Sequence, residues 1–134
     1  MDMENKVNQI DVNFLQAFSD AWNNHDIDAL MTFMADDCVF HTAGGNGELG
    51  GSFQGKESVR ESFVAVWTNF PDVAWKDPMH FVCGDRAVSE STFTATNPDG
   101  SRIEARMVDV FTLKGGKILV KNAYRKNRPA IQPS

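Results

Sequence analysis

Apolar residues recur at helical spacing in three stretches of the first half of the chain. The first stretch runs from about residue 8 to residue 25, the second begins after Asp26, and the third runs from near Lys56 to Pro71. Each places its apolar side chains on one face, as an amphipathic helix packed on a core does. Asp26 is a good N-cap for the second helix, which is predicted to carry Met34 and to end at Asp36-Asp37.

The second half of the chain has the two-residue period of β-strands. The predicted strands cover residues 73–82 (interrupted by Pro78), 86–96, 102–113 and 117–126, and a shorter strand at 38–42 precedes a glycine-rich loop at 44–55. Helices followed by an antiparallel meander indicate the α+β class. We therefore expect one curved, mostly antiparallel sheet with helices on one face, enclosing a conical pocket whose mouth lies under a mobile glycine loop.

Length and charge narrow the classes of partner. A chain of 134 residues with 42% hydrophobic residues is predicted to form a single domain, with a core at about residues 7–127 and a loose C-terminal tail. The formal net charge of -5 argues against nucleic acid or an anionic membrane as the main partner. The acidic N-terminus does not resemble a signal peptide, and no apolar run could span a bilayer, so we expect a cytoplasmic protein.

One acidic residue breaks the alternation of the clearest strand. Asp109 is in phase with five apolar residues, so strand geometry places all six on one face of the sheet. The apolar five are Ile103, Ala105, Met107, Phe111 and Leu113. A lone carboxylate among apolar groups is costly, so it either stays protonated as a tuned acid in a pocket or finds a partner. If the face of the next strand that carries Lys121 and Arg125 meets this one, Asp109 would be ionised, and structural or anion-binding.

His41 is the second candidate for acid–base chemistry. It follows the apolar Phe40 and precedes the glycine-rich loop, and an imidazole titrates near the pH at which a general base is useful. The alternative is a histidine at the rim, bonded to backbone or water. The three histidines of the chain have no local ligand spacing, so no metal site is predicted.

Short motifs along nearly the whole chain resemble one family. In chain order they are Trp22-Asn23-Asn24-His25-Asp26-Ile27-Asp28-Ala29-Leu30, Ala35-Asp36-Asp37-Cys38, Phe53-Gln54-Gly55-Lys56-Glu57-Ser58-Val59, Phe70-Pro71-Asp72, Val108-Asp109-Val110-Phe111 and Gly116-Lys117-Ile118. Their order and spacing are similar to those of the SnoaL-like branch of the nuclear transport factor 2-like superfamily, which lies beside ketosteroid isomerase. The resemblance implies a cone-shaped fold with three helices in the N-terminal half and a pocket between sheet and helices, usually in a homodimer.

The resemblance also relates three residues to the ketosteroid isomerase site. Asp109 falls where the isomerase has its oxyanion-hole Asp. Phe18 falls where the isomerase has its oxyanion-hole Tyr, and Thr42 falls where it has its general base. Because Phe18 has no hydroxyl and Thr42 cannot act as a base unaided, His41 would replace the base if the strand register shifts by one residue.

These observations lead to two hypotheses about function. In the first, a small apolar molecule binds in the pocket and undergoes cofactor-free isomerisation, cyclisation or dehydration, with Asp109 polarising a carbonyl oxygen and His41 moving the proton. The side chains predicted to contact the apolar body are Phe18, Phe63, Trp67, Phe81, Met107 and Phe111. In the second, the chain is a non-catalytic ligand-binding or dimerisation domain, in which the cavity is small or Asp109 is tied into a salt bridge.

Overall fold

Within residues 10–133, which the computed structural model describes, the chain forms three helices and six strands. The helices are α1 (Val12–Asn23), α2 (Ile27–Thr32) and α3 (Lys56–Asn69). The strands are β1 (Met34–His41), β2 (Ser52–Gln54), β3 (Ala74–Cys83), β4 (Arg86–Thr96), β5 (Arg102–Lys114) and β6 (Lys117–Arg125). The three predicted helices are confirmed, but α1 begins at Val12, later than the predicted start near residue 8, which itself lies outside the described residues.

The strands form one sheet in the order β2-β1-β6-β5-β4-β3. β1 runs parallel to β6, and every other neighbouring pair is antiparallel. Helix α1 packs against β3 and α3 packs against β1, so both helices cover the same face, which we call the inner face. The mostly antiparallel α+β architecture predicted from the sequence is therefore confirmed.

Two aspartates determine where the first helices begin. Asp11 Oδ1 accepts a hydrogen bond of 3.0 Å from the Phe14 amide at the start of α1. Asp26 Oδ1 accepts one of 3.1 Å from the Ala29 amide, which confirms Asp26 as the cap of α2. Each bond satisfies an amide that has no acceptor inside its own helix.

The predicted end of α2 is wrong by several residues. The helix ends at Thr32, and Met34 is the first residue of β1 rather than the last apolar residue of the helix. The Ile118 amide donates a 2.8 Å hydrogen bond to the Phe33 carbonyl, so β6 pairs with the chain directly after the helix. Asp36 and Asp37 then lie in a stretch where the pairing of β1 with β6 is irregular, and both side chains are exposed.

Pro78 bends β3 without ending it. The register between β3 and β4 shifts between Lys76 and Met79, and Asp77 has a φ of 54°. Proline has no amide hydrogen to give to a neighbouring strand, so a bulge forms at this position. The interruption predicted at Pro78 is thus a bulge within one strand.

Hydrogen bonds hold both segments that were expected to be loose. Arg102 and Ile131 exchange two backbone hydrogen bonds of 2.8 Å, which attach the C-terminal segment to β5. In the glycine-rich loop, the Gly51 amide donates to the Gly44 carbonyl at 3.1 Å, and the Thr42 hydroxyl donates to the same carbonyl at 2.6 Å. Gly50 has a φ of 73°, and a Cβ there would overlap the Thr42 carbonyl, so this turn requires glycine.

The core lies between the inner face and the helices. Phe111 of β5 packs edge-on against Phe18 of α1 with a centroid separation of 5.9 Å, and Phe18 packs in the same way against Trp22. Val59 and Phe63 of α3 are completely buried. None of the helices between residues 10 and 133 is long and apolar enough to cross a membrane.

Two valines of α3 test which face of that helix packs against the core and stabilises the fold. Val59 is fully buried and Val64 is 38% exposed, on the same helix. We expect Val59→Ala to lower the free energy of unfolding by about 2 kcal/mol, because it removes two buried methyl groups and leaves a cavity. Val64→Ala should change it by less than about 0.5 kcal/mol. Equal effects in urea unfolding would contradict this orientation of α3.

Candidate functional site

A cavity of about 310 Å³ lies between the inner face and helices α1 and α3. Six aromatic side chains contribute to its wall: Trp22, Phe40, Phe53, Phe70, Trp75 and Phe93. The polar side chains of the wall that are not aromatic are Thr42, Ser62, Asn69, Lys121 and Arg125. A largely apolar cavity with a few convergent polar groups is typical of a small-molecule site.

Strand β6 supplies both cations of the wall. Lys121, Ala123 and Arg125 alternate along the strand, so all three point to the inner face. The register pairs Lys121 with Phe111 on one side and with Phe40 on the other. A lysine therefore lies in a row of aromatic residues, at the floor of the cavity.

Lys121 forms a buried ion pair with Asp109. Lys121 Nζ lies 2.9 Å from Asp109 Oδ1, and the two side chains are only 6% and 13% exposed. Asp109 pairs directly with Ala123, so Lys121 is its diagonal neighbour across the two strands. Of the interpretations left open by the sequence, the structure supports an ionised Asp109 with a lysine partner.

Aromatic rings surround the ammonium of this pair. Lys121 Nζ lies 4.7 Å from the centroid of Phe40, 5.2 Å from that of Trp22 and 5.9 Å from that of Phe63. The negative faces of these rings attract a cation, and the attraction grows when water is excluded. Together with Asp109 they allow a lysine to be buried at a position where an apolar side chain would be usual.

Asp109 itself does not line the main cavity. It borders a separate space of about 30 Å³, together with His80, Ser89 and Ser91. Lys121 borders both this space and the main cavity. A molecule in the main cavity would therefore meet Lys121, with Asp109 behind it.

A second polar chain lies on the far side of Asp109. His80 Nε2 lies 2.9 Å from Gln16 Oε1, and His80 Nδ1 lies 2.8 Å from Ser89 Oγ. Because an amide oxygen only accepts, Nε2 donates to Gln16, while the serine hydroxyl can either donate to Nδ1 or accept from it. Burial lowers the pKa of His80 below its ordinary value, although the Asp20 carboxylate acts in the opposite direction. Burial, rather than these hydrogen bonds, favours the neutral imidazole.

Arg125 lies at the outer end of the cavity. Its guanidinium carbon is 4.4 Å from the centroid of the Phe93 ring. It forms no ion pair with any residue between 10 and 133. Partial burial lowers the pKa of Arg125 from its ordinary value, since the charged form loses hydration.

The structure does not bring His41 to the cavity. Phe40 and Thr42 line the wall, so His41, which lies between them on β1, points to the opposite face of the sheet. There His41 Nδ1 lies 2.7 Å from Ser52 Oγ of β2. The register shift that would have made His41 a base does not occur.

Of the six side chains predicted to contact a ligand, Met107 alone is part of the described cavity wall. Phe18, Phe63 and Phe111 belong to the core, with at most 3% exposure. Trp67 stacks on His25 at 5.1 Å, outside the cavity wall. Phe81 is 58% exposed on the other face of the sheet. The periods place Phe18, Phe63 and Phe111 on buried faces correctly, but the register shift between Lys76 and Met79 turns Phe81 to the other face. The periods also do not distinguish a filled core from the wall of a cavity.

The sequence matches the model of one protein family over most of its length. The model of the SnoaL-like domain matches residues 15–120. The chain belongs to this family. The family assignment made from short motifs is confirmed, together with the fold of the nuclear transport factor 2-like superfamily. No curated protein sequence matches this SnoaL-like chain significantly.

Solved structures share the fold at low sequence identity. A candidate polyketide cyclase from Xanthomonas campestris pv. campestris has a TM-score of 0.75 and 17% identity, covering 86% of this chain and 89% of its own. A Catenulispora acidiphila protein with a ketosteroid isomerase-like fold, in complex with trimethylamine, has a TM-score of 0.72 and 17% identity over 82% of both chains. TerC, co-crystallised with polyporic acid, has a TM-score of 0.73 and 23% identity, covering 86% of this SnoaL-like chain and 90% of its own.

The buried pair and an exposed pair give a matched test of the site. Asp109→Ala leaves the Lys121 ammonium buried without its partner, and we expect a loss of about 3–5 kcal/mol in the free energy of unfolding. Asp36 lies 3.6 Å from Lys56 and is 99% exposed, so Asp36→Ala should cost less than about 1 kcal/mol. Chemical denaturation measures both.

The double variant Asp109→Leu with Lys121→Met removes both charges at once. It should recover most of the stability lost in Asp109→Ala, because no unpaired charge stays buried. Additive losses, or equal losses at Asp109 and Asp36, would contradict a desolvated ion pair.

Proposed function

We propose that this SnoaL-like chain binds a small, largely apolar molecule in the cavity, with a polar oxygen of that molecule on Lys121 Nζ. The observation that carries the proposal is a single buried ammonium at the floor of an aromatic-walled space of about 310 Å³. Cavities of this size accept small ring compounds.

The wall and the ammonium contribute in different ways. Each square ångström of apolar surface that a guest buries against the rings favours binding by about 25 cal/mol. Such contacts are not directional, so they hold a ring without fixing its orientation. A hydrogen bond from Lys121, whose position is fixed by Asp109, would orient the guest through its oxygen.

Binding is favoured over proton abstraction by the chemistry of the wall. Among residues 10–133, no carboxylate or imidazole lines the main cavity. A general base must lie within hydrogen-bond reach of the proton that it removes, and Asp109 and His41 both lie elsewhere. Lys121 can polarise a carbonyl oxygen, which is the role first predicted for Asp109, and binding with this polarisation is the function that the geometry supports best.

Two of the similar folds were crystallised with small molecules. These are polyporic acid in TerC and trimethylamine in the Catenulispora acidiphila protein. The two molecules have little in common chemically. The comparison therefore supports small-molecule binding at the level of the fold and leaves the ligand class to the side chains of this chain.

Filling the cavity tests the proposal. Ala123 lies on β6 between Lys121 and Arg125 and faces the cavity, whereas Ala17 is exposed on α1. With naphthalene-2-carboxamide as a neutral ring probe, we expect saturable 1:1 binding in isothermal titration calorimetry. Ala123→Leu should weaken it at least about tenfold, because the added side chain occupies the space of the probe.

The control adds the same side chain elsewhere. Ala17→Leu should leave the affinity unchanged, and thermal melting should show that both variants are folded. No binding to the parent chain, or an equal loss in both variants, would overturn the proposal.

We also propose that the outer face of the sheet pairs two copies of the chain. Met79, Phe81 and Tyr124 are 52%, 58% and 52% exposed on this face. The strand register places Phe81 beside Val88, and Val88 beside Val110, in one apolar row. An exposed apolar patch of this kind is typical of an interface, and such a face can pair with its own copy about a two-fold axis.

A charge in the apolar row tests the pairing. We expect the parent chain to have the mass of two chains in size-exclusion chromatography with light scattering. Phe81→Glu should give the mass of one chain, because it would bury two carboxylates at a two-fold interface. Leu49→Glu, at a 49% exposed residue of the glycine-rich loop, should keep the mass of two. A monomeric parent chain would exclude the pairing.

A further inference from the structure

We propose that the molecule bound in the cavity is an organic anion, an aromatic carboxylate in the simplest case, whose charged group binds Arg125 at the mouth. This inference rests on the proposed function. It adds the chemical class of the ligand and a second residue that recognises it.

The charges around the cavity do not balance. Lys121 and Arg125 are the cations of its wall, and no acidic residue between 10 and 133 lines it. Asp109, directly behind Lys121, neutralises that ammonium at 2.9 Å. Arg125 has no carboxylate partner in the described part of the chain. One positive charge is therefore uncompensated, and a single negative charge on the guest would balance it.

The geometry of Arg125 leaves its hydrogen-bonding edge available. The guanidinium lies over Phe93, with its central carbon 4.4 Å from the ring centroid. Stacking of this kind uses the face of the planar group, whereas its five N–H donors lie in the plane. None of these donors forms a hydrogen bond with another residue in the range 10–133. A carboxylate fits the planar edge with two parallel hydrogen bonds.

The separation of Lys121 and Arg125 indicates where the polar groups of the bound molecule lie. Four residues of extended strand separate the Cα atoms of Lys121 and Arg125 by about 13 Å. Since Lys121 Nζ is already held 2.9 Å from Asp109, we assign the two cations to different ends of one molecule. The uncompensated Arg125 takes the carboxylate, the aromatic wall takes the ring, and the neutralised Lys121 takes an oxygen at the far end.

A pair of probes with nearly the same shape and different charge tests the assignment. 2-Naphthoate and naphthalene-2-carboxamide have nearly the same shape, and the first is an anion. We expect the parent chain to bind the naphthoate about tenfold more tightly in isothermal titration calorimetry, with the advantage decreasing as salt is added.

Arg125→Gln should abolish that preference, so that the variant binds the two probes with equal affinity. Arg128→Gln is the matched control, because Arg128 is an exposed arginine of the adjoining segment, and its loss changes the net charge equally. It should keep the preference. Circular dichroism melting curves for both variants check folding.

The outcomes separate this inference from the proposed function. If the parent chain binds both probes equally, the anion assignment is overturned, while binding in the cavity stands. If neither probe binds, both proposals fail. If Arg128→Gln abolishes the preference as fully as Arg125→Gln, the preference comes from the general basic character of the segment, and the role of Arg125 is overturned.

Discussion

The buried pair of Lys121 and Asp109 is the constraint on which the rest of the site depends. Removing two charges from water costs several kcal/mol for each ion, and only close contact with further favourable partners offsets this. Here the contact is 2.9 Å, and the rings of Phe40 and Trp22 face the ammonium. Either charge alone would be costly to bury on this face, so the pair stabilises the register in which β5 and β6 meet and Lys121 forms the cavity floor.

A one-residue bulge makes this pair possible. At the turn, Leu113 pairs with Ile118, but Thr112 pairs with Val120, so Leu119 is an extra residue in β6. Without it, the regular ladder would place Lys121 opposite Val110, on the outer face of the sheet. The bulge reverses the inward and outward positions for the rest of the strand. Lys121 and Arg125 therefore reach the cavity because of one irregular residue near the hairpin turn.

The same bulge explains why the sequence predicts the inward position of Asp109 but does not identify Lys121 as its partner. The period of two within β5 is enough to place Asp109 among Met107 and Phe111, because that pattern is local to one strand. Whether Lys121 faces the acid depends on the register between two strands, which a single unpaired residue reverses. His41 is a simpler case, because it lies between Phe40 and Thr42, which both line the cavity, and the period of two alone puts it on the other face.

Helix ends and cavity walls are difficult to predict from the sequence for a different reason. The apolar pattern of α2 continues to Met34, which is buried as the pattern requires, but strand pairing with β6 ends the helix before it. Local propensity and tertiary pairing compete here, and pairing prevails.

The cavity exists where small side chains from different elements face one another. Ala65 and Ser62 of α3 and Ala123 of β6 all border the open space, whereas Phe63 on the same helix fills its surroundings completely. Rings such as Trp22 and Phe93 cannot collapse into that space, because each is held by other aromatic contacts. The wall of the cavity and the filled core can therefore have the same composition. They differ in whether small residues of different elements face one another and leave space between them. That information belongs to the packing of the elements, so the sequence shows a protein able to enclose a cavity, and the structure shows which residues line it.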